Sequence, residues 1–327
     1  MQVDPGLMQA WQLQEFGKAV TLNSVPVPLP GAGEVLVQVA ACGLNFADLL
    51  MQQGKYQECP NLPFTPGLEF SGTVVAQGSG ASLPPIGTRV AAFTGSGALA
   101  PYACVPADRL VPLPDQMSFT DAAAFQIAFG TSHLALDHRA RLQAGETVLV
   151  LGAAGGVGLT AVQIAKRMGA RVIACARGPE KLAIASAHGA DATIDSDTPD
   201  LKAAFKALGG VDVVYDPVGG PGFDAVLSAC RPEARILTIG FASGEVPKIA
   251  ANLLLVKNLT VMGLYWGGYM KFAPKVLTDS LATLFGWYET GGLRPHISHC
   301  LPFERYPEGL ELLRSRTASG KVVITLR

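Results

Sequence analysis

Ten residues near the middle of the chain form a glycine-rich turn of the kind that holds a phosphate group. They read LGAAGGVGLT, which gives the spacing AxGxxG where the common fingerprint is GxGxxG. The turn follows the apolar run TVLVLG and opens a helical pattern, so backbone N–H groups and the positive end of a helix dipole meet there. We expect this turn to bind the pyrophosphate of a dinucleotide through Ala153, Ala154, Gly155, Gly156, Val157 and Gly158. The alternative is a tight strand-to-helix corner without a ligand.

The end of the following strand, RVIACA, indicates which dinucleotide fits. In NAD-binding proteins an Asp or Glu at this position hydrogen-bonds the ribose 2′-hydroxyl. In this chain the position is occupied by Ala176, which is followed by Arg177. Arg177 and Lys181 offer donors to a 2′-phosphate. The sequence therefore predicts NADP(H) rather than NAD(H). The alternative is that both cations are solvated charges at the start of a surface helix.

The elements around this turn alternate between strand and helix. Six mostly apolar strand patterns, TVLVLG, RVIACA, DATID, VDVVYDPV, RILTIGF and LTVMGLY, are separated by helical stretches. Apolar strands joined by helices are typical of a parallel sheet buried on both faces, and such crossovers give a doubly wound α/β fold. We place this dinucleotide-binding domain at residues 125–263.

The remaining chain predicts a second domain, as expected for 327 residues. Residues 1–124 contain short β-branched runs with Pro and Gly between them, ending where Ser118 and Asp121 indicate the start of a helix that can continue to Leu136. Residues 264–327, which end in the strand pattern GKVVITL, have no place in the six-strand set. We expect them to return and complete the first domain.

Charge and composition exclude several kinds of partner. The formal net charge is −1, with 16% charged residues, and the basic residues are dispersed, which argues against nucleic acid or an anionic membrane. The apolar runs are shorter than the roughly 20 residues that cross a bilayer. The opening residues lack the apolar region of a secretory signal, and six cysteines without a CxxC pair fit a reducing cytoplasm. We expect a cytoplasmic protein with a small-molecule substrate.

Several motifs, in this order, resemble the medium-chain dehydrogenase/reductase superfamily, in particular its zinc-free quinone oxidoreductases of the zeta-crystallin-like group. The motifs are AACGLNFADLLMQQGKY, PFTPGLEFSGTV, AAGGVG, VDVVYDPVGG and SGKVVI. The resemblance covers essentially the whole chain. It implies a GroES-like, β-rich catalytic domain formed by both chain ends, a Rossmann domain between them in sequence, and an active site in the cleft.

The same resemblance implies that no metal takes part. Zinc-dependent relatives carry a ligand cysteine in ACGxC and a ligand histidine in GHE, whereas this chain has Asn45 and Leu68 at those places. Neither residue provides the thiolate or imidazole that a catalytic zinc requires. His296 and His299, in PHISH, stand three residues apart beside a proline and are interpreted as loop residues rather than metal ligands.

The resemblance also indicates which residues contact the substrate and the cofactor. It places Asn45, Asp48 and Tyr56 beside the substrate, Thr131 near the nicotinamide, and Gly240 and Phe241 on the carboxamide side. Asn45 and Tyr56 can donate hydrogen bonds to a carbonyl, and Asp48 is expected to orient its neighbours, since an ordinary aspartate is ionised at neutral pH. The alternatives are a turn cap for Asn45, a loop aromatic for Tyr56 and an intrahelical hydroxyl for Thr131.

These observations predict an NADPH-dependent quinone oxidoreductase that uses no zinc. One alternative reduces the activated C=C bond of a 2-alkenal, an enone or acryloyl-CoA, because that reaction needs the same hydride delivery and a polarised carbonyl. Another is a protein that binds NADPH without turnover. The apolar terminal strand at residues 259–267 would leave an exposed sheet edge in a monomer, so we expect a homodimer.

Overall fold

The apolar and β-branched runs form strands throughout the chain. The computed structural model describes residues 6–80 and 82–326. Within these residues the strands are β1 (Leu7–Gln12), β2 (Thr21–Pro26), β3 (Glu34–Leu44), β4 (Glu69–Gln77), β5 (Arg89–Phe93), β6 (Tyr102–Pro106), β7 (Leu110–Pro112), β8 (Thr147–Leu151), β9 (Arg171–Ala176), β10 (Ala192–Asp195), β11 (Val211–Asp216), β12 (Cys230–Thr238), β13 (Thr260–Gly263), β14 (Ile297–Pro302) and β15 (Lys321–Thr325).

The helices alternate with strands mainly in the second half of the chain. In the described residues they are α1 (Phe46–Gln52), α2 (Phe119–Ala123), α3 (Gln126–His133), α4 (Gly156–Arg167), α5 (Gly178–Ala187), α6 (Leu201–Ala207), α7 (Pro221–Ala229), α8 (Ala251–Lys257), α9 (Tyr269–Phe272), α10 (Pro274–Glu289) and α11 (Tyr306–Arg314).

The helix predicted from Ser118 begins as expected but does not run unbroken to Leu136. The Ser118 hydroxyl accepts a hydrogen bond from the Asp121 N–H at 3.0 Å, which confirms the N-cap. α2 then ends at Ala123 and α3 starts at Gln126, followed by a π-helical segment at Leu134–Arg139. Helix propensity alone cannot indicate such a break, because both pieces have helix-forming residues.

The first compact unit contains residues 1–127 and 295–327, and strands from both segments build its larger sheet, while β1 and β2 pair in a separate two-stranded sheet. The strand order of the larger sheet is β14-β15-β3-β4-β5-β7, with β6 also paired to β3. β15 runs antiparallel to β3, with Ile324 opposite Cys42, so the C-terminal strand lies beside the strand that leads into α1. The alternating inward residues, such as Val35, Val37 and Val322, are buried in the core of this unit.

The second compact unit, residues 128–294, contains the doubly wound sheet. Its strands are all parallel, in the order β10-β9-β8-β11-β12-β13, which confirms the predicted fold class. Every residue of β8 is buried, as expected for a strand covered on both faces. The order reverses between β8 and β11, and ligands of such sheets bind at the carboxyl ends of the strands beside this point.

The boundaries of the second unit differ from the predicted 125–263, because residues 264–294 also belong to it. α10 buries Leu277, Leu281 and Leu284, and its Ser280 hydroxyl lies 2.7 Å from the His133 Nδ1 atom in α3. The amphipathic pattern of α10 shows only that one face is buried, not which unit it packs on. The return to the first unit starts at Pro295 rather than at residue 264.

Two expectations concern export and membranes. Among residues 6–80 and 82–326, no helix has both the length and the apolar character required to span a bilayer. The first five residues of the segment that was interpreted as lacking a secretory signal lie outside the described residues.

Candidate functional site

The glycine-rich turn connects β8 to α4 in the second unit. Gly152 has a φ of +58°, which favours glycine, and Gly155 is the N-cap of α4. A Cβ atom on Gly158 would lie 2.1 Å from the Gly152 carbonyl oxygen, so the helix and the turn touch as the sequence predicts. The N–H groups in the first turn of a helix have no intrahelical acceptor, and they carry the positive end of the dipole. This end of α4 can therefore hold an anionic group.

A network of buried hydroxyl groups lies next to this turn and was missed by the sequence analysis. The Ser132 Oγ atom lies 2.9 Å from the Val157 carbonyl oxygen, 2.8 Å from the Thr160 hydroxyl and 3.0 Å from the Tyr215 hydroxyl. Burial raises the pKa of Tyr215, so its hydroxyl stays protonated. The network links α3, α4 and β11. It also fixes the backbone next to Thr131, a buried residue of α3.

The end of β9 carries the residues predicted to select the cofactor. The Arg177 Nε atom donates to the Asp197 carboxylate at 3.2 Å, and both side chains are mostly exposed. The Asp195 carboxylate accepts from the N–H groups of Gly178 and Asp197. Neither carboxylate was predicted from the sequence at this place. Because exposed ion pairs contribute only about 0–1 kcal/mol, Arg177 can exchange Asp197 for a phosphate. Lys181 lies four residues further on, in α5.

A second missed residue, Asp216, ends β11 on the other side of β8. Its Oδ1 atom accepts from the N–H groups of Val218 at 2.7 Å and Gly219 at 2.9 Å. Burial raises the pKa of this carboxyl, and the two N–H donors oppose the shift. The Gly240 N–H points to the Asp216 carbonyl oxygen at 3.4 Å, so the predicted Gly240 and its partly exposed neighbour Phe241 lie beside this strand end. The sequence did contain a signal that could have identified Asp216, namely a carboxylate at the end of an apolar strand, directly before Pro-Val-Gly-Gly.

In the first unit, Asn45 lies in a buried polar cluster with Glu69 and Lys321. Its Nδ2 group donates to the Gly43 carbonyl oxygen at 3.2 Å and to the Glu69 Oε1 atom at 3.0 Å. Its Oδ1 atom accepts from the Lys321 ammonium at 2.7 Å, and that ammonium also donates to Glu69 at 2.8 Å. The Asn45 amide is therefore held by internal partners on both its oxygen and its nitrogen.

Asp48 lies next to this cluster, in the first turn of α1. Its Oδ2 atom accepts from the Asn45 N–H at 2.8 Å, which caps the helix. Burial raises the pKa of Asp48 to about 7, although the Asn45 N–H and the Lys321 charge both oppose the shift. The assumption that this carboxyl ionises like an ordinary aspartate is therefore wrong. Tyr56 lies half-buried in the segment after α1.

Comparisons with known proteins agree with this architecture. The family model described as "Alcohol dehydrogenase GroES-like domain" matches residues 31–115, and the one described as "Zinc-binding dehydrogenase" matches residues 156–281. The chain is 42% identical over 303 residues to the Quinone oxidoreductase-like protein 2 homolog of Nematostella vectensis, covering 91% of this chain and 83% of that protein. The chain belongs to the medium-chain dehydrogenase/reductase superfamily. Within it, the chain lies in the zinc-free quinone oxidoreductase branch.

Solved structures of this superfamily match nearly the whole reductase. The quinone oxidoreductase from Thermus thermophilus, whose structures include a complex with NADPH, is 36% identical with a TM-score of 0.84, covering 98% of this chain and 100% of that one. A mycobacterial protein in complex with NADPH is 29% identical with a TM-score of 0.90, covering 97% and 99% of the two chains.

The donor set of this reductase does not fit the zinc ion for which one of its family models is named. Asn45 uses its amide atoms internally, and Leu68 is a buried hydrocarbon. In the described part of the chain, no group of three or more His, Cys, Asp or Glu side chains is arranged to hold a metal. His299 lies in β14, with its Nδ1 atom 2.9 Å from the Ser298 hydroxyl, so its interpretation as a loop residue is wrong.

Proposed function

We propose that this enzyme transfers a hydride from NADPH to a quinone without a metal ion. The observation that carries the proposal is the turn between β8 and α4, where Gly158 packs closely on Gly152. The N–H groups in the first turn of α4 have no acceptor within the helix and can bind an anion. The quinone oxidoreductase relatives, one of them known with NADPH, support the same cofactor and acceptor. NADPH supplies the hydride, and a quinone accepts it without a Lewis acid because its ring is already electron-poor.

The second unit contributes the groups that bind the cofactor. The turn at Ala153 and Ala154 leads into α4, whose first-turn N–H groups, on Gly156, Val157 and Gly158, stabilise the pyrophosphate together with the helix dipole. The N–H groups of Ala153 and Gly155 hold the turn itself, since they donate to the carbonyl oxygens of Cys175 and Gly152. Arg177 and Lys181 bind the 2′-phosphate, Arg177 by leaving its exposed partner Asp197. Gly240 and Phe241 lie on the nicotinamide side.

The first unit contributes the groups that act on the acceptor. The Tyr56 hydroxyl would donate to the quinone oxygen and its ring would offer an aromatic face to the quinone, and Thr131 would contact the nicotinamide. The side-chain amide of Asn45 is occupied by Gly43, Glu69 and Lys321, so Asn45 fixes the start of α1 and Tyr56 is the donor to the acceptor. Burial raises the pKa of Asp48 to about 7, so this carboxyl is partly protonated near neutral pH and would supply the proton that the reduced oxygen needs.

The test is oxidation of NADPH and NADH by the purified protein with 1,4-benzoquinone, a 2-alkenal and acryloyl-CoA in parallel. Faster turnover of the quinone with NADPH, lowered about 10-fold or more by Tyr56→Phe, supports the proposal. If the protein turns over the alkenal or the thioester and shows little activity with the quinone, the substrate is an activated alkene instead of a quinone. Binding of NADPH without oxidation of any acceptor contradicts an enzymatic function.

The preference for NADPH has a test of its own. Arg177→Asp should weaken binding of NADPH while leaving NADH nearly unchanged, and Asp197→Asn should strengthen NADPH binding, because it removes the competing carboxylate. Arg305→Asp, which breaks a similarly exposed ion pair with Glu308 in the first unit, is the control. Equal effects of Arg177→Asp on both nucleotides would refute the assigned role.

We further propose that two copies pair through β13 into a homodimer. β13 is the terminal strand of the parallel sheet, so one of its edges has no partner strand within the described residues. Leu255 and Val256, in the preceding helix α8, are largely exposed. Sedimentation velocity at micromolar concentration should give twice the 34.1 kDa chain mass. A monomeric mass would contradict the pairing.

A further inference from the structure

Asp216 lies at the point of the second unit where its sheet reverses direction. Its strand β11 is adjacent to β8, which leads into the glycine-rich turn, and to β12, which leads to Gly240. A Cβ atom on Gly152 would lie 2.8 Å from the Val218 side chain, so the residues after Asp216 pack directly on the glycine-rich turn. Asp216 therefore lies between two segments assigned to the cofactor.

Within the described residues, only one oxygen of the Asp216 carboxylate has hydrogen-bond donors. The side chain is 1% exposed, and its Oδ1 atom accepts two backbone N–H groups. The Oδ2 atom is buried and has no hydrogen-bond partner among residues 6–80 and 82–326. A buried polar atom left unpaired costs about 1–3 kcal/mol, so this oxygen indicates a donor that the chain itself does not supply.

The order of the strands indicates which part of the cofactor lies near this oxygen. β9, which ends at Ala176 just before Arg177, and β11, which ends at Asp216, lie on opposite sides of β8. With the pyrophosphate on the turn after β8, the adenosine half extends over β9 and the nicotinamide half over β11. The two backbone N–H groups that donate to Oδ1 favour the ionised carboxylate. This form accepts hydrogen bonds and repels phosphate oxygens, so its partner is a hydroxyl or amide donor.

We propose that Asp216 is a cofactor-binding residue whose Oδ2 atom accepts a hydrogen bond from a hydroxyl or amide N–H group of the nicotinamide half. The proposal rests on the dinucleotide binding proposed above. It adds a charged recognition element to a part of the site for which the sequence provided Thr131, Gly240 and Phe241. The Oδ1 atom keeps the turn after β11 in place, and the Oδ2 atom meets the ligand.

The test variant is Asp216→Asn, because its side-chain oxygen can still accept from Val218 and Gly219 while its amide replaces the unpaired oxygen by a donor. The Kd for NADPH, measured by fluorescence titration, should rise about 10- to 100-fold, as expected for a hydrogen bond to a charged group. The Kd for 2′,5′-ADP, which contains only the adenosine half, should stay unchanged. Asp224→Asn, an exposed carboxylate in α7, is the matched control and should change neither value.

The outcomes separate this proposal from the proposed function. If Asp216→Asn binds NADPH like the wild type, or loses NADPH and 2′,5′-ADP equally, Asp216 does not contact the nicotinamide half. If the wild type binds neither nucleotide, the proposed function fails as well. The thermal midpoint of the unliganded variant shows whether the fold is kept. If the thermal midpoint falls, Asp216→Ser is measured as well. The ratio of its Kd for NADPH to its Kd for 2′,5′-ADP should rise, as for Asp216→Asn.

Discussion

Replacing Lys321 by methionine should destabilise the first unit strongly, because it leaves a buried carboxylate without its counter-ion. Lys321 is 4% exposed and Glu69 is 0% exposed, and their charged atoms lie 2.8 Å apart. The ammonium also donates to the Leu44 carbonyl oxygen and to Asn45. Removing one partner of a buried pair costs roughly 3–5 kcal/mol. In the variant, Glu69 still accepts hydrogen bonds from the Asn45 side-chain amide and the Ile127 N–H. We therefore expect the free energy of unfolding to fall by about 3 kcal/mol, at the lower end of this range.

The measurement is urea unfolding combined with native-state hydrogen exchange of the β3, β4 and β15 amides, which assigns the loss to the first unit. Lys275→Met is the control, since Lys275 forms an exposed ion pair with Asp279 and should contribute about 0.5 kcal/mol or less. Adding Glu69→Gln to Lys321→Met removes the uncompensated charge and should recover about 1–2 kcal/mol. The reasoning is refuted if Lys321→Met costs no more than the control, or if the double variant is less stable than the single one.

Two further predictions concern the glycine-rich turn and Asp48. Gly158→Ala should abolish NADPH binding and lower the thermal midpoint, because its Cβ atom would lie 2.1 Å from the Gly152 carbonyl oxygen; Gly286→Ala in α10 meets no atom within 4 Å and should be tolerated. Burial raises the pKa of Asp48 from 3.8 to about 7, so the native state holds this proton more tightly than the unfolded chain does. The stability that Asp48 contributes is therefore complete below about pH 4 and lost as the pH rises to about 7. The unfolding free energy of the wild type should thus fall relative to Asp48→Asn across this range, and a difference independent of pH would contradict the assignment.

Several features were predicted from local patterns because their causes are local. The Ser118 cap needs only a hydroxyl three residues before an N–H group. The six strands of the second unit follow from apolar runs separated by helical stretches, and the contact of Gly158 with the turn follows from a strand that leads directly into a helix.

Other features depend on residues distant in sequence. Asp197 faces Arg177 only because β9 and β10 pair side by side, so the sequence reasoning found the cation and missed its carboxylate. Residues 264–294 were assigned to the wrong unit for a similar reason, since the partners of α10, such as His133, lie more than a hundred residues before it.

The sequence by itself determined the order of the elements, the glycine-rich turn and the residue types that stand in place of zinc ligands, because each depends on neighbouring positions. The tertiary structure alone decided the charge states and pairings. Lys321 and Glu69 are 252 residues apart in sequence and come into contact only when β15 pairs with β3 in the sheet of the first unit. Burial in the same unit raises the pKa of Asp48. Desolvation and hydrogen-bond partners are properties of the folded environment, and the unpaired oxygen of Asp216 became visible only when its surroundings were in place.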